Sequence, residues 1–330
     1  MEYPIEASES FHGLLGPEAE PAFLAPEELT ASWGRKWGAA DEFSTLRSVL
    51  MRSPGDGLRG LTSERWSEKH GALVDLPGQR YWIDRTAPDV DLFKEQHAGF
   101  VQTLRDHGVE VVLAPTFEQG FTKSIYTRDP LITLPGGAII LRLAPRMRRG
   151  EEQSITATVA GAGMPILGTM TGTGLAEGGS FVKLRRDLAA FGTSVRCNVE
   201  GHRQLHGMLA EQGVELIEVP LPGYWIHLDG SLLMLDEDLA LIMAGELPYT
   251  FIEQLHALGI ETVEVHPEED WAVNSFVIGP RKVIMSDDHV RTAEYLNSKY
   301  GVEPILIPYS EIRKNGGSLH CSTMELQRDW

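Results

Sequence analysis

Nine residues before the end of the chain, Cys321 stands in Asn315-Gly-Gly-Ser-Leu-His-Cys321, where paired glycines let the backbone approach a ligand closely. A lone cysteine is most often a buried structural residue. Here the neighbours Ser318, His320, Ser322 and Thr323 are polar, whereas structural cysteines usually sit in apolar runs, so a nucleophilic thiol is a fair reading beside the structural one. A nucleophilic thiol needs a proton carrier and a partner that holds the carrier in place. His227 in Tyr224-Trp-Ile-His-Leu-Asp229 is the best candidate, and an i, i+2 spacing on a strand predicts His227 and Asp229 on one face. Two ionisable side chains on an apolar strand are costly unless paired. A satisfied core histidine beside a turn-capping aspartate competes on equal terms. Two further bends carry carboxylates: Glu177 beside the glycine pair of Ala176-Glu-Gly-Gly-Ser-Phe181, and Asp129 in Tyr126-Thr-Arg-Asp-Pro130.

These segments are far apart in the chain, and a repeat could bring them together. Gly108-Val-Glu-Val-Val-Leu-Ala-Pro115, Gly213-Val-Glu-Leu-Ile-Glu-Val-Pro220, Gly259-Ile-Glu-Thr-Val-Glu-Val-His-Pro267 and Gly301-Val-Glu-Pro-Ile-Leu-Ile-Pro308 share one pattern, with a weaker copy at Gly163-Met-Pro-Ile-Leu-Gly168. Successive copies begin 55, 50, 46 and 42 residues apart. Glycine supplies a left-handed helix cap, β-branched residues a strand, and proline its end. Further apolar runs, such as Pro135-Gly-Gly-Ala-Ile-Ile-Leu-Arg-Leu143, make each block roughly ββαβ. Helical periodicity from Val90 to His107 puts Leu92, Phe93, Phe100, Val101 and Leu104 on one face. The expectation is an α/β fold, a five-bladed pseudo-symmetric α/β propeller of ββαβ repeats. Its alternative is an ordinary α/β sheet whose turns reuse Gly and Pro. In the propeller the Asp129, Glu177 and Cys321 segments occupy corresponding positions in different repeats and converge on the axis.

With 330 residues, 42% of them hydrophobic, the chain can bury a large core. Residues 1–40, rich in Pro, Gly, Ala and Glu, are expected to form an N-terminal extension, and 41–330 the catalytic domain. A net charge of −18 argues against nucleic acid or an anionic membrane surface as partner. The acidic start Met1-Glu-Tyr-Pro-Ile-Glu-Ala-Ser-Glu-Ser does not resemble a signal peptide, and no apolar run reaches membrane-spanning length. Two cysteines, Cys197 and Cys321, suit neither a zinc site nor a disulfide framework, so a cytoplasmic protein with free thiols is expected. Phosphate-loop, zincin, Cys-x-x-Cys and nucleophile-elbow motifs are missing. Gly168-Thr-Met-Thr-Gly-Thr-Gly174 reads as a loop and His266-Pro-Glu-Glu-Asp270 as a solvated turn.

Taken together, Thr-Arg-Asp-Pro, Glu-Gly-Gly, His-x-Asp and a carboxy-terminal Gly-Gly-x-x-x-Cys, in that order, resemble the guanidino-group-modifying superfamily, the penteins. This group includes arginine deiminase, dimethylarginine dimethylaminohydrolase, agmatine deiminase and the amidinotransferases. The resemblance runs from about residue 41, where Asp-Glu-Phe-Ser-Thr-Leu-Arg-Ser-Val-Leu-Met looks like the opening strand, to about 328. It implies that Cys321 attacks the guanidinium carbon, His227 shuttles protons, Glu177 orients His227, and Asp129 and Asp229 hold the planar cation. No metal or organic cofactor is required by that chemistry. The partner is a small guanidino substrate, and a homodimer is left open.

Members that act on α-amino acids resemble one another in two carboxylate-gripping arginines, and Arg148 and Arg196 occupy those places here. A surface arginine is the competing reading for Arg148. Where arginine-type enzymes have Asp after Glu-Gly-Gly, this chain has Ser180, the agmatine-deiminase-like form, which removes a partner for an α-ammonium group or the guanidinium. An arginine-like or shorter guanidino acid would satisfy both features. Hydrolysis to a ureido product is the expected reaction. Amidino transfer to an amine is the second, and a non-catalytic binding propeller, as in a ribosome anti-association factor, the third. Cys197 is expected to be an inert pocket-wall residue.

Overall fold

A computed structural model describes residues 21–78 and 80–330. The first half of the expected N-terminal extension, including the acidic start, lies outside the described residues. Each repeat glycine foreseen as a helix stop has a left-handed backbone: φ is +77° at Gly108, +96° at Gly163, +71° at Gly213, +83° at Gly259 and +64° at Gly301. They follow helices Val90–Asp106, Glu151–Gly161, Val199–Glu211, Tyr249–Ala257 and Val290–Tyr300. Local chemistry also starts two of these helices. Asp89 accepts from the Leu92 N–H at 3.0 Å and Asn198 from that of Gly201 at 2.8 Å, caps whose loss costs about 1 kcal/mol each.

After each helix comes the strand that the repeat predicts: Glu110–Ala114, Ile166–Thr169, Glu215–Pro220, Glu261–Glu264 and Glu303–Ile307. Each pairs in parallel with a strand that precedes the helix, and that strand pairs antiparallel with a third. Four of the third strands, Leu131–Leu134, Phe181–Arg185, Leu232–Asp236 and Phe276–Gly279, open their own unit. In the unit that joins the chain's two ends, Met324–Arg328 lies antiparallel to Leu46–Arg52, which pairs in parallel with Glu110–Ala114. The result is a mixed α/β fold.

Within the joining unit two features depart from the sequence reading. Leu92, expected on the buried face of its helix, is 37% exposed, while Phe93, Phe100, Val101 and Leu104 are buried. A sixth, all-antiparallel sheet, Trp66–Ser67, Ala72–Asp75 and Arg80–Trp82, is inserted between the first strand and first helix of the joining unit. It is anchored by fully buried Trp82, whose indole N–H donates to the Thr86 carbonyl at 2.9 Å.

Near the amino end, Pro26–Trp33 is helical and Trp37 is buried with Leu50, Ile140 and Leu326, whereas Trp33 is half exposed. Gly168 and Thr169 end a strand rather than belonging to a loop, and Gly172 lies in the turn that follows. In the turn at His266–Asp270, Glu269 is buried and accepts from the Arg291 and Thr292 N–H groups at 3.1 and 2.8 Å, capping a helix. Among the described residues no helix is long and apolar enough to cross a membrane.

Candidate active site

The candidate residues occupy the same place in successive units: the bend that leads into the strand paired antiparallel to the unit's middle strand. Asp129 precedes Leu131–Leu134, Glu177 precedes Phe181–Arg185, His227 and Asp229 precede Leu232–Asp236, and Cys321 precedes Met324–Arg328. The remaining unit offers Asn274 before Phe276–Gly279. Sequence reasoning missed Asn274, whose local signal is a polar Asn274-Ser275 pair just before the apolar run Phe276-Val-Ile278. Its side-chain oxygen accepts from the Ser318 and Cys321 N–H groups at 3.1 and 3.3 Å, and its amide donates to the Asp229 carbonyl at 3.1 Å. One buried amide therefore ties the thiol loop to the His227–Asp229 segment.

His227 and Asp229 do not lie on a strand. His227 is extended, and a single turn of 3-10 helix follows at Leu228–Gly230, so the i, i+2 alternation of a strand does not apply and the two side chains find different partners. The His227 Nε2 is 2.7 Å from Glu177 Oε2 and its Nδ1 is 3.7 Å from Asp129 Oδ1. Asp229 Oδ2 is 2.9 Å from His320 Nδ1 and 3.6 Å from the Cys321 Sγ, which donates to it.

The glycine pair after Glu177 is required by this packing. A Cβ on Gly179 would lie 2.6 Å from His227 Nδ1 and 2.9 Å from Asp129 Oδ1, and one on Gly178 2.2 Å from the Arg128 carbonyl oxygen. In the thiol loop, a Cβ on Gly317 would meet the Tyr126 ring at 2.6 Å.

Electrostatics follow from burial against pairing. Burial opposes the His227 imidazolium, but Asp129, Glu177 and Asp229 outweigh it and hold its pKa above the ordinary value. Burial likewise opposes the Glu177 carboxylate, yet His227, Arg196 and Arg148 bring its pKa down to about 2. Burial, reinforced by Asp229 and Asp129, pushes the Cys321 thiol well up, so in the free protein the sulfur is protonated. For Asp229, His320, His227 and Arg128 overcome the burial penalty and lower the pKa. Asp129 Oδ2 pairs with Arg148, while its buried Oδ1 has no hydrogen-bond donor among the described residues.

The two arginines differ. Arg148 is buried, and its fork is largely occupied: Nη1 donates to Asp129, Nε and Nη2 to Glu151, and Nη2 also to the Tyr126 carbonyl at 3.0 Å. Thus it is no surface arginine, and its geometry suits bracing Asp129 rather than gripping a ligand carboxylate. Arg196 is partly exposed and donates to Glu177 Oε2 from Nη1 at 3.0 Å. Ser180 is buried, donates to the Ile226 carbonyl at 3.4 Å and lines neither cavity at the thiol.

Beneath the site lies a buried ionic network. Arg128 Nη2 is 2.9 Å from Glu325 Oε2, Lys183 Nζ is 3.1 Å from Glu42 Oε1 and also pairs with Glu325, and His320 Nε2 is 3.8 Å from Glu42 Oε2. Through His320 the network reaches Asp229. Isolated buried charges would be severely destabilising, but here each cation has a carboxylate.

Cys321 and His227 stand where two cavities meet. One, of about 350 Å³, is also lined by Lys123, Asp129, Arg148 and Arg196. The other, of about 790 Å³, is lined by Asp229, Trp225, Trp271 and Asn274. Both include Ile83, contributed by the segment that follows the inserted sheet, a wall the repeat pattern did not foresee. Asp129, Glu177 and His227 place one ligand atom each within 4.8 Å of one another. Arg148 and Arg196 already answer the two carboxylates, which makes the trio a poor metal-ion site. Cys197, expected in the pocket wall, lines neither cavity; it is half buried, and burial raises its thiol to about 11.

A family model described as N,N dimethylarginine dimethylhydrolase, eukaryotic, matches residues 90–328. An uncharacterized protein of Bacillus subtilis is 31% identical over 290 residues, 87% of this chain and 94% of that one. The N(G),N(G)-dimethylarginine dimethylaminohydrolase of Pseudomonas aeruginosa is 30% identical over 237 residues, 72% of this chain and 89% of the relative. The solved structure of the Pseudomonas aeruginosa dimethylaminohydrolase in complex with citrulline superposes with a TM-score of 0.68 at 26% identity, covering 85% of this chain and 99% of that one. With it the chain shares a propeller-like α/β fold. Sequence match, shared fold and the order of the site motifs agree: the chain belongs to the dimethylarginine dimethylaminohydrolase family, within the guanidino-group-modifying penteins.

Proposed function

We propose that this protein hydrolyses the guanidino group of arginine or an arginine-like compound through a covalent intermediate on Cys321. The observation that carries the reading is the opening of a buried thiol into the same cavity as His227, whose Nε2 is held 2.7 Å from Glu177. The unpartnered Oδ1 of Asp129 supports it, because a guanidinium N–H would supply the missing donor. Asp129 and Asp229 hold the cation, Arg148 braces Asp129, and Glu177 orients His227. Arg196 takes the far end of the substrate, and Ser180 acts only through the Ile226 carbonyl. We also read the five similar sheets as five blades around one axis. Residues 41–330 then form the catalytic unit, 1–40 an extension, and the cytoplasm is the place of action.

Binding of the cation beside the sulfur offsets the carboxylates that raise the thiol pKa, and the thiol proton leaves to solvent. The thiolate adds to the guanidinium carbon. His227 protonates the departing nitrogen, the C–N bond breaks, and a thiouronium remains on sulfur. Water then adds with His227 as base, the C–S bond breaks, and a ureido product and free Cys321 result. The leaving group is ammonia or an alkylamine. The name of the Pseudomonas aeruginosa relative favours a methylated amine.

Amidino transfer is the second reading, favoured by the 790 Å³ cavity that meets the first at Cys321 and has room for an amine acceptor. A mass-spectrometric screen of arginine, methylarginines, agmatine and shorter guanidino acids, with Cys321→Ala as control, tests both. A ureido product with released amine, absent in the variant, is expected. An amidino-sized adduct on Cys321 without ureido product would favour transfer, and neither product nor adduct would overturn the enzyme reading.

A further inference from the structure

The 350 Å³ cavity contains a cation that the mechanism above does not use. Lys123 lines it together with Arg148 and Arg196. Its Nζ donates to two neutral oxygens, the carbonyl and side-chain oxygen of Asn315, and lies 4.8 Å from the centroid of the Tyr81 ring. Among the described residues no carboxylate pairs with it. An ammonium has three donors and no acceptor, so beyond the two Asn315 oxygens one N–H has no oxygen partner among the described residues. Burial, with Arg148 and Arg196 adding to it, lowers the Lys123 pKa, which is the response of a cation lacking a counter-ion.

The carboxylates nearby are already engaged. Asp129 holds Arg148 with Oδ2, and its Oδ1, which accepts no hydrogen bond and lies 3.7 Å from His227 Nδ1, is the guanidinium acceptor of the proposed reaction. Glu177 serves His227, Arg196 and the Ala144 N–H. Asp229 lines the other cavity, against His320 and Cys321. An α-ammonium group in the smaller cavity would therefore find Lys123 and Arg196 but no free acid, whereas a carboxylate would find two incompletely partnered cations. Arg148, with four of its five N–H donors directed at protein oxygens, offers little to either.

We propose that the smaller cavity selects an ω-guanidino acid without an α-ammonium group, and that Lys123, together with Arg196, is the residue that reads its carboxylate. The proposal rests on the guanidino-hydrolase reading. Lys123 is a specificity-determining residue, and it also ties down Asn315 at the start of the thiol loop, so its test must separate charge recognition from loop support.

The experiment compares a guanidinoalkanoate, arginine and an alkylguanidine of matching chain length that lacks the carboxylate, by turnover in the wild-type protein and by calorimetric binding to Cys321→Ala. The guanidinoalkanoate is expected to exceed both others about tenfold or more in kcat/KM and in affinity. Lys123→Gln is expected to raise its KM about tenfold, with kcat little changed and the alkylguanidine unaffected, and Lys123→Arg to recover much of the loss. Arginine bound or turned over as well as the guanidinoalkanoate would overturn the proposal, as would a Lys123→Gln loss equal for all three compounds. Selective binding with no turnover would leave the carboxylate site standing and remove the hydrolase reading instead.

Discussion

Cys321 holds its sulfur 3.6 Å from Oδ2 of Asp229, a carboxylate that raises the pKa of the thiol it faces. Burial and this carboxylate together keep the thiol protonated in the free protein, and a bound cation between sulfur and acid would oppose the carboxylate's effect. Replacing Asp229 by Asn removes the charge and lowers the thiol pKa. Iodoacetamide should then label Cys321 several-fold faster near neutral pH, while turnover falls about 100-fold because the guanidinium loses an acidic partner. Slower labelling in the variant would show that Asp229 does not set the thiol's proton affinity.

Glu177→Gln removes a carboxylate that holds His227 protonated. Activity that needs the imidazolium falls as pH rises through the His227 pKa, so the alkaline limb of the pH–rate profile should move to lower pH and kcat should fall about 100-fold. The same variant tests stability. The Glu177 pKa is depressed from an ordinary 4.5 to about 2, so its pairing stabilises the fold above the unfolded value and is lost as pH falls from there through about 2. Urea unfolding of wild type and variant should differ near pH 6 and converge toward pH 2.

Gly179→Ala forces a methyl against His227 Nδ1 at 2.6 Å and Asp129 Oδ1 at 2.9 Å. The expected cost is about 1–3 kcal/mol, with a larger proportional loss of turnover than of stability. Gly207, exposed in the helix Val199–Glu211 with nothing within 4 Å of where a Cβ would stand, is the control. Gly207→Ala should stabilise by about 0.5–1 kcal/mol and leave turnover unchanged. Thermal unfolding and steady-state kinetics on both variants decide the matter.

Asn274→Ala takes the acceptor away from the Ser318 and Cys321 N–H groups. Two buried donors left without partners predict a loss of about 1–3 kcal/mol or more in unfolding free energy. Hydrogen exchange should rise at Ser318–Cys321 before it rises in the strands, because the thiol loop loosens first.

Much of the fold was legible because the signals that specify it are short-range. Glycine at a left-handed position ends a helix wherever it stands, and a β-branched run closed by proline makes a strand, so Gly108, Gly213, Gly259 and Gly301 marked their units without knowledge of neighbours. The residues Cys321, His227, Glu177 and Asp129 could be picked out because ionisable groups at glycine- and proline-rich bends need a chemical reason to be there. The inserted sheet before the first long helix left no trace, since strands as short as Trp66–Ser67 carry no periodicity.

By itself, then, the chain determined its repeating units, its site motifs and their order. Tertiary structure alone decided who meets whom: that His227 turns to Glu177, 50 residues away, while Asp229 turns to His320 and the thiol. It also decided that Arg148 is occupied by Glu151 and Asp129, that Asn274 completes the set, and that Lys123 enters the cavity without an acid. The reason is physical. Backbone conformation is set mainly by near neighbours, whereas the pairing and pKa of a buried charge depend on every dipole and charge that packing brings within a few ångströms.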